Sequence, residues 1–229
     1  MKLGLLGYPI DHSLSPMLYT KFLGTELISY EKFSYKKSSD VPAIDFFQQR
    51  LSGLNITSPY KSIFIDNVII ESDVVKELGG INTIAFRDHG IFGTNTDYIA
   101  VKEILKNLSF TYQKINLILI GDGVMARVTK LAARELGITL EQYSRKLTPE
   151  FSSLEFRSHK SNCQTVIINS ASRDFIFKFP VAGNEIFWDF NYSFEPHERL
   201  LPSVFKTYIN GQELLELQAK EAIKFWKEL

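Results

Sequence analysis

Apolar positions along the chain alternate between two spacings. Lys2-Leu3-Gly4-Leu5-Leu6-Gly7 is a short apolar run closed by glycine, which predicts a buried strand ending in a turn. Ser13-Leu14-Ser15-Pro16 then predicts a helix start, with a Ser cap and Pro at the first helical position; Met17, Phe22 and Leu23 give that helix its apolar surface and Gly24 ends it. Residues 27–33 and 54–57 read as strands, and 42–51 and 72–78 as helices, the last followed by Gly79-Gly80. Residues 83–86 and 91–94 resemble a hairpin across Asp88-His89-Gly90.

The second half repeats the alternation. Tyr98, Val101, Ile104 and Leu105 fall at helical spacing over 96–108. Residues 115–120 are nearly continuous aliphatic, as expected of a parallel strand buried on both faces. Gly121-x-Gly123-x-x-Ala126 follows at once. Beyond it Met125, Val128, Ala132 and Leu136 mark one helix face, Arg127, Lys130 and Arg134 the other, and Gly137 a cap. Strands are expected at 138–143, 165–168 and 185–189. Over 212–229 a last helix places Leu215, Ala219, Ala222 and Trp226 on one face, with Gln218 on or beside it. A buried amide there needs a hydrogen-bonding partner, and a ligand would serve. Strands alternating with helices predict an α/β fold.

Bulk properties narrow the functional classes. A chain of 229 residues suits one large domain or two small ones, and 45% hydrophobic content is ample for buried cores. Lys and Arg total 26, and Asp and Glu total 26, so charge gives no reason to expect nucleic acid or an anionic membrane as partner. Cys163 is alone, which excludes an internal disulfide framework and points to a reducing, cytoplasmic setting. The apolar N-terminus lacks a basic region and a cleavage site, so a strand is expected and not a leader. No apolar run approaches the about 18 residues needed to span a membrane. His12, His89, His159 and His197 show no metal-ligand spacing, and no metal site is expected.

The chemistry concentrates at strand ends. Gly53-Leu54-Asn55-Ile56-Thr57-Ser58-Pro59-Tyr60-Lys61 fixes one lysine behind a short apolar strand and a Pro-restricted turn. Gly80-Ile81-Asn82-Thr83 and Gly93-Thr94-Asn95-Thr96-Asp97 form two more polar clusters of this kind. Lysine, asparagines and aspartate on separate segments suit one polyhydroxylated small molecule. Each has a plainer role as well: Lys61 a surface ion pair, Asp97 a cap for the helix that follows, Ser13 and Ser15 a helix cap in place of a carboxylate site. The glycine pattern, set between a buried strand and an amphipathic helix, suits a pyrophosphate at a helix N-terminus. At the end of the next strand, Tyr143-Ser144-Arg145-Lys146 suits a 2′-phosphate or is a solvated basic loop, while nearby Glu141 would suit a ribose hydroxyl and NAD.

Together these segments resemble the shikimate dehydrogenase family along nearly the whole chain. Gly7-Tyr8-Pro9-Ile10-x-His12-Ser13-x-Ser15-Pro16 is similar to its N-terminal substrate motif, and Gly53-x-Asn55-Ile56-Thr57-x-Pro59-Tyr60-Lys61 to its lysine motif. Gly80-Ile81-Asn82-Thr83, Asn95-Thr96-Asp97, Asp189-x-x-Tyr192 and Asn210-Gly211 with Gln218 resemble its later blocks. The resemblance implies an α/β substrate-binding domain over 1–100, joined by the C-terminal helix 212–229, and a Rossmann-like NADP-binding domain over 101–211. It implies Lys61 and Asp97 as catalytic pair, and Ser13, Ser15, Thr57, Asn82, Tyr192 and Gln218 around shikimate or 3-dehydroshikimate. Gly121, Gly123, Val124, Met125, Ser144, Arg145, Lys146 and Gly211 would hold NADP. Lys61 would exchange the proton of the reacting oxygen, or stabilise the alkoxide while water relays the proton. Family members occur as monomers and homodimers. The chain departs from the family at Val124 and Met125, where Gly and Ala are common, and at Ser144-Arg145-Lys146, where only the arginine of the usual phosphate motif is kept. It is also short in the cofactor domain. An NAD-dependent quinate/shikimate dehydrogenase and a non-catalytic binding paralogue are the alternatives.

Overall fold

The computed structural model describes residues 1–148, 151, 154 and 163–228. The chain forms two compact units, Met1–Ile99 with Glu216–Leu229, and Ala100–Leu215. Both are α/β, as the alternation of spacings predicts.

In the first unit, β1 (Lys2–Gly7), β2 (Ser29–Ser34), β3 (Gly53–Ile56), β4 (Thr83–Arg87) and β5 (Gly90–Thr94) form one sheet of order β2-β1-β3-β4-β5. β1 runs parallel to β2 and β3, whereas β3–β4 and β4–β5 are antiparallel. The register pairs Leu6 with Ile56, Asn55 with Thr83, and Thr83 with Thr94. The chain therefore leaves β1, β3 and β5 at the same edge of the sheet at which it enters β4. That topology gathers residues 7–8, 57–61, 81–82 and 95–97 at one edge, although they lie far apart in sequence.

Helices α1 (Ser15–Leu23), α2 (Ile44–Gln48) and α3 (Asp73–Leu78) belong to this unit, together with the start of α4 (Thr96–Tyr112). The α2 helix is shorter than residues 42–51 suggest, and α4 runs past 108. Leu3, Tyr19, Leu23, Ala85, Ala219, Ala222 and Trp226 make a core cluster to which the C-terminal helix contributes three members. Trp226 explains Gly53: a side chain there would place Cβ 2.4 Å from the indole Nε1, which instead donates to Ile84 O at 2.8 Å.

The second unit holds a fully parallel sheet of β6 (Ile115–Ile120), β7 (Thr139–Tyr143), β8 (Gln164–Asn169), β9 (Ile186–Asp189) and β10 (Thr207–Ile209), in the order β10-β9-β8-β6-β7. The order reverses between β6 and β8, which is the topological switch point where doubly wound sheets take ligands. α5 (Val124–Glu135) follows β6 and buries Val128, Leu131 and Ala132, and Gly137 at φ 64° closes it by donating to Arg134 O. α6 (Glu195–Leu200) and β10 have no counterpart in the sequence-based expectation. The last helix, α7 (Gln212–Lys227), passes from the second unit into the first at Glu216. No helix among the described residues is long and apolar enough to cross a membrane. His159 lies outside the described residues.

Candidate active site

Lys61 is aimed by its backbone on both sides. Beyond β3, Thr57 N–H donates to Leu6 O at 2.8 Å, and Tyr60 N–H closes a turn onto Thr57 O at 3.0 Å around a cis Ser58–Pro59 peptide. Tyr60 is buried, with its hydroxyl on Tyr35 O at 2.6 Å. Lys61 O accepts Ile81 N–H at 2.8 Å. From this anchor Lys61 Nζ donates to Asp97 Oδ2 at 2.6 Å, and the two side chains are only 13% and 14% exposed. Removing either partner leaves a charge largely withdrawn from water, a costly state.

The start of α4 departs from the sequence reading. Asn95, not Asp97, caps the helix: Asn95 Oδ1 accepts Tyr98 N–H at 2.9 Å, and its Nδ2 donates to Gly80 O at 2.8 Å. Asp97 therefore sits inside the first turn, with its carboxylate committed to Lys61 and not to the backbone. Asn82 Oδ1 accepts Thr96 N–H at 2.7 Å and the hydroxyls of Thr96 and Thr83 at 3.2 and 3.1 Å. Its Nδ2 donates to no protein atom among the described residues, although Asn82 is 4% exposed, so that amide is available to a ligand oxygen. Gln218 on α7 is also buried, with Oε1 3.4 Å from the Thr96 hydroxyl as an alternative acceptor to Asn82 Oδ1. Asn55, beneath them, accepts Tyr30 O–H at 3.1 Å and donates to Thr83 Oγ1 at 3.3 Å.

The serines do not cap α1 as the sequence suggested. Leu14, whose side chain has no acceptor, holds the N-cap position, and its helical angles place Ser15 already inside the helix. Ser13 Oγ instead accepts Ser15 N–H at 3.3 Å and lies 3.2 Å from Ser15 Oγ. Pro16 lacks an N–H, so the first turn presents two adjacent hydroxyls suited to a carboxylate. Thr57 packs against Gly7, where a Cβ would stand 2.3 Å from Thr57 Cγ2. Ser13, Ser15, Thr57, Lys61, Asn82, Asp97 and Gln218 thus all belong to the first unit.

The second unit carries the other candidates. Gly121 has φ 120°, and a Cβ there would stand 2.5 Å from Ser170 Oγ, at the switch point between β6 and β8. Gly123 caps α5 and has nothing within 4 Å of where its Cβ would lie, so the turn before Val124 and Met125 leaves room for a bulky anion. The residues present therefore fit a dinucleotide. Ser144 is buried, donates to Asp122 Oδ2 at 3.3 Å and accepts Leu147 N–H at 3.1 Å. Arg145 is exposed and lies 3.5 Å from Asp174, whose carboxyl is held below its ordinary value chiefly by the Ser172 hydroxyl. Lys146 is exposed. Glu141 lies within β7 and accepts Tyr143 O–H at 2.9 Å.

Tyr192 and Gly211 follow the neighbouring strands β9 and β10. Gly211 N–H donates to Asn191 O at 3.2 Å, and a Cβ there would meet Phe190 O at 2.4 Å. Burial raises the Tyr192 phenol, opposed by Arg173, whose guanidinium holds the Tyr192 and Ser193 carbonyls at 3.0 and 2.6 Å. Sequence reasoning missed the support beneath this segment. Buried Asp189 accepts Asn169 Nδ2 at 3.0 Å, Asn191 N–H at 3.0 Å and His197 Nδ1 at 2.5 Å. His197 Nε2 accepts Phe177 N–H at 2.9 Å, so the ring carries its proton on Nδ1. The signal was the Asp189–His197 spacing, which no metal or catalytic pattern singles out.

Comparison with known proteins points to one family. A family model described as the shikimate dehydrogenase substrate binding domain matches residues 5–84. A shikimate dehydrogenase of Sulfurisphaera tokodaii is 31% identical over 243 residues, covering 98% of the chain and 88% of that protein. A shikimate dehydrogenase (NADP(+)) of Crocosphaera subtropica is 34% identical over 139 residues, 59% of the chain; that match spans about half of the relative's length, 48%. The fold is that of the Thermus thermophilus shikimate 5-dehydrogenase solved in complex with NADP(H) and shikimate, with TM-score 0.76, 21% identity, and coverage of 100% of this chain and 94% of that one.

Proposed function

The chain belongs to the shikimate dehydrogenase family, and on that premise we propose that it catalyses the reversible NADPH-dependent reduction of 3-dehydroshikimate to shikimate, a step of aromatic amino acid biosynthesis. The observation that carries the reading is the Lys61–Asp97 pair at 2.6 Å, beside an Asn82 amide that donates to nothing among the described residues. A solvated surface ion pair would lie more exposed and would not share its sheet edge with buried asparagines.

In this reading residues 1–100 and the C-terminal helix form the substrate domain and 101–211 the cofactor domain. Ser13 and Ser15 take the substrate carboxylate at the first turn of α1. Thr57, Asn82, Tyr192 and Gln218 contact ring oxygens. Lys61 hydrogen-bonds the reacting oxygen, gives it a proton in reduction and takes one back in oxidation, while Asp97 holds the ammonium in place. Gly121, Gly123, Val124 and Met125 would lie along the pyrophosphate of NADP, with Ser144, Arg145 and Lys146 at its 2′-phosphate and Gly211 near the nicotinamide. NADP, when bound, supplies the hydride acceptor or donor. The arginine side chain favours NADP over NAD through charge and its planar fork.

The test is absorbance at 340 nm with purified protein, shikimate and either NADP or NAD. Reduction of NADP with little of NAD is expected. Preference for NAD would move the reading to the quinate-type branch and to Glu141. Reduction of neither, with quinate also tried, would overturn the catalytic reading.

A further inference from the structure

Two tyrosines under the serine pair compete for one acceptor. Tyr19 lies on α1, one turn beyond Ser15, and stacks on Tyr30 with ring centroids 5.2 Å apart and 17° between planes. It is fully buried, and its hydroxyl has no hydrogen-bond partner among the described residues. Tyr30, half-buried on β2, donates its hydroxyl to Asn55 Oδ1 at 3.1 Å. Burial raises both phenols; at Tyr19 the Tyr30 phenol adds to this and Asn55 opposes it, and at Tyr30 the Ser15 hydroxyl opposes it. Tyr30 thus holds Asn55 and also feels the Ser15 hydroxyl, and Tyr19 feels the Asn55 amide that Tyr30 already holds. Asn55 is itself loosely held, its Nδ2 reaching Asn82 O at 3.4 Å and Thr83 Oγ1 at 3.3 Å. An unpaired hydroxyl at zero exposure is a cost that native structures rarely carry without a use.

We propose that Tyr30 is a further substrate-binding residue: when a carboxylate sits on Ser13 and Ser15, the Tyr30 hydroxyl turns from Asn55 to that carboxylate, and Asn55 Oδ1 passes to the Tyr19 hydroxyl. This rests on the serine pair as the carboxylate site. A carboxylate is a stronger acceptor than a neutral amide oxygen, so it wins the Tyr30 donor. The freed amide oxygen then meets the Tyr19 hydroxyl, a buried donor without a partner among the described residues. In the bound state neither phenol is left unpaired, and the exchange discriminates for the free acid over a neutral ester.

The test is titration of wild type, Tyr30→Phe and Tyr19→Phe with shikimate and with its methyl ester, alongside thermal melting without ligand. Both substitutions keep the stacked rings. Tyr30→Phe is expected to weaken shikimate about tenfold, as for a hydrogen bond to a charged group, and to leave the ester nearly unchanged. Tyr19→Phe should melt no lower than wild type, since its hydroxyl makes no bond, yet bind shikimate about threefold more weakly. Equal weakening of acid and ester by Tyr30→Phe, or of neither, would overturn the proposal. A wild-type protein that binds no shikimate would overturn both this proposal and the functional reading beneath it.

Discussion

Lys61 Nζ meets Asp97 Oδ2 at 2.6 Å across 36 residues of sequence, and the pairing depends on Asn95 having taken the capping role at the head of α4. If Lys61 moves the proton of the reacting oxygen, Lys61→Ala should cut kcat by about 10²–10⁴, the usual worth of a positioned acid–base group. Shikimate affinity should stay close to wild type, because the serines, Asn82 and Gln218 are untouched. Steady-state kcat and a direct binding titration separate the two quantities. A kcat within about twofold of wild type would remove Lys61 from the mechanism.

Legibility followed physics more than position. The β1 and β6 strands were readable because interior parallel strands are apolar runs, and the turn at Gly121 because its glycines follow such a run directly. The β10 strand is three half-buried residues, too short for any periodicity to show. Pro196 looks like a helix breaker in sequence, yet in α6 it occupies the first turn, where no N–H is missed. Lys61, Asn82 and Asp97 were visible as polar strand ends. Which of Asn95 and Asp97 caps α4 was not, because Asn-Thr-Asp offers two good caps and only the Asn95–Tyr98 bond decides. The link from Tyr30 to Asn55 was invisible for another reason: it follows from β1 lying between β2 and β3, a fact of sheet order.

Gly53 should tolerate no side chain. A Cβ there would stand 2.4 Å from Trp226 Nε1, and Trp226 is 7% exposed and hydrogen-bonded to Ile84 O. Gly53→Ala is expected to cost about 1–3 kcal/mol, the range for overpacking a closed core. Urea unfolding measures it. Adding Trp226→Phe should recover part of the loss, since the smaller ring removes the clashing nitrogen; additive losses would show that the clash is not the cause.

The two glycines before α5 should separate fold from cofactor. Gly121→Ala forces φ 120° on an alanine and drives its Cβ to 2.5 Å from Ser170 Oγ, so unfolding free energy should fall by about 1–3 kcal/mol. Gly123→Ala meets nothing within 4 Å and should cost only about 0.5–1 kcal/mol, the amount by which Ala is a poorer N-cap than Gly. If that space receives the pyrophosphate, Gly123→Ala should nonetheless raise KM for NADP about tenfold while KM for shikimate is unchanged. An unaltered KM for NADP would move the pyrophosphate away from this turn.

Arg145 tests cofactor choice without a stability confound. Its side chain is 72% exposed and 3.5 Å from an Asp174 that is 64% exposed, a solvent-screened surface pair that adds little to stability. Arg145→Ala should therefore leave the melting temperature in place. Ser144 is different, since its hydroxyl is built into the turn through Asp122 and Leu147, so removing it would disturb the loop as well as any ligand. If the guanidinium meets the 2′-phosphate, Arg145→Ala raises KM for NADP about tenfold, the worth of one charge-assisted contact, and leaves KM for NAD as it was. Raised salt should narrow the gap between wild type and variant, because an exposed guanidinium and a phosphate are screened together. A variant that weakens NADP and NAD alike would place Arg145 on the adenosine and leave the 2′-phosphate to Lys146.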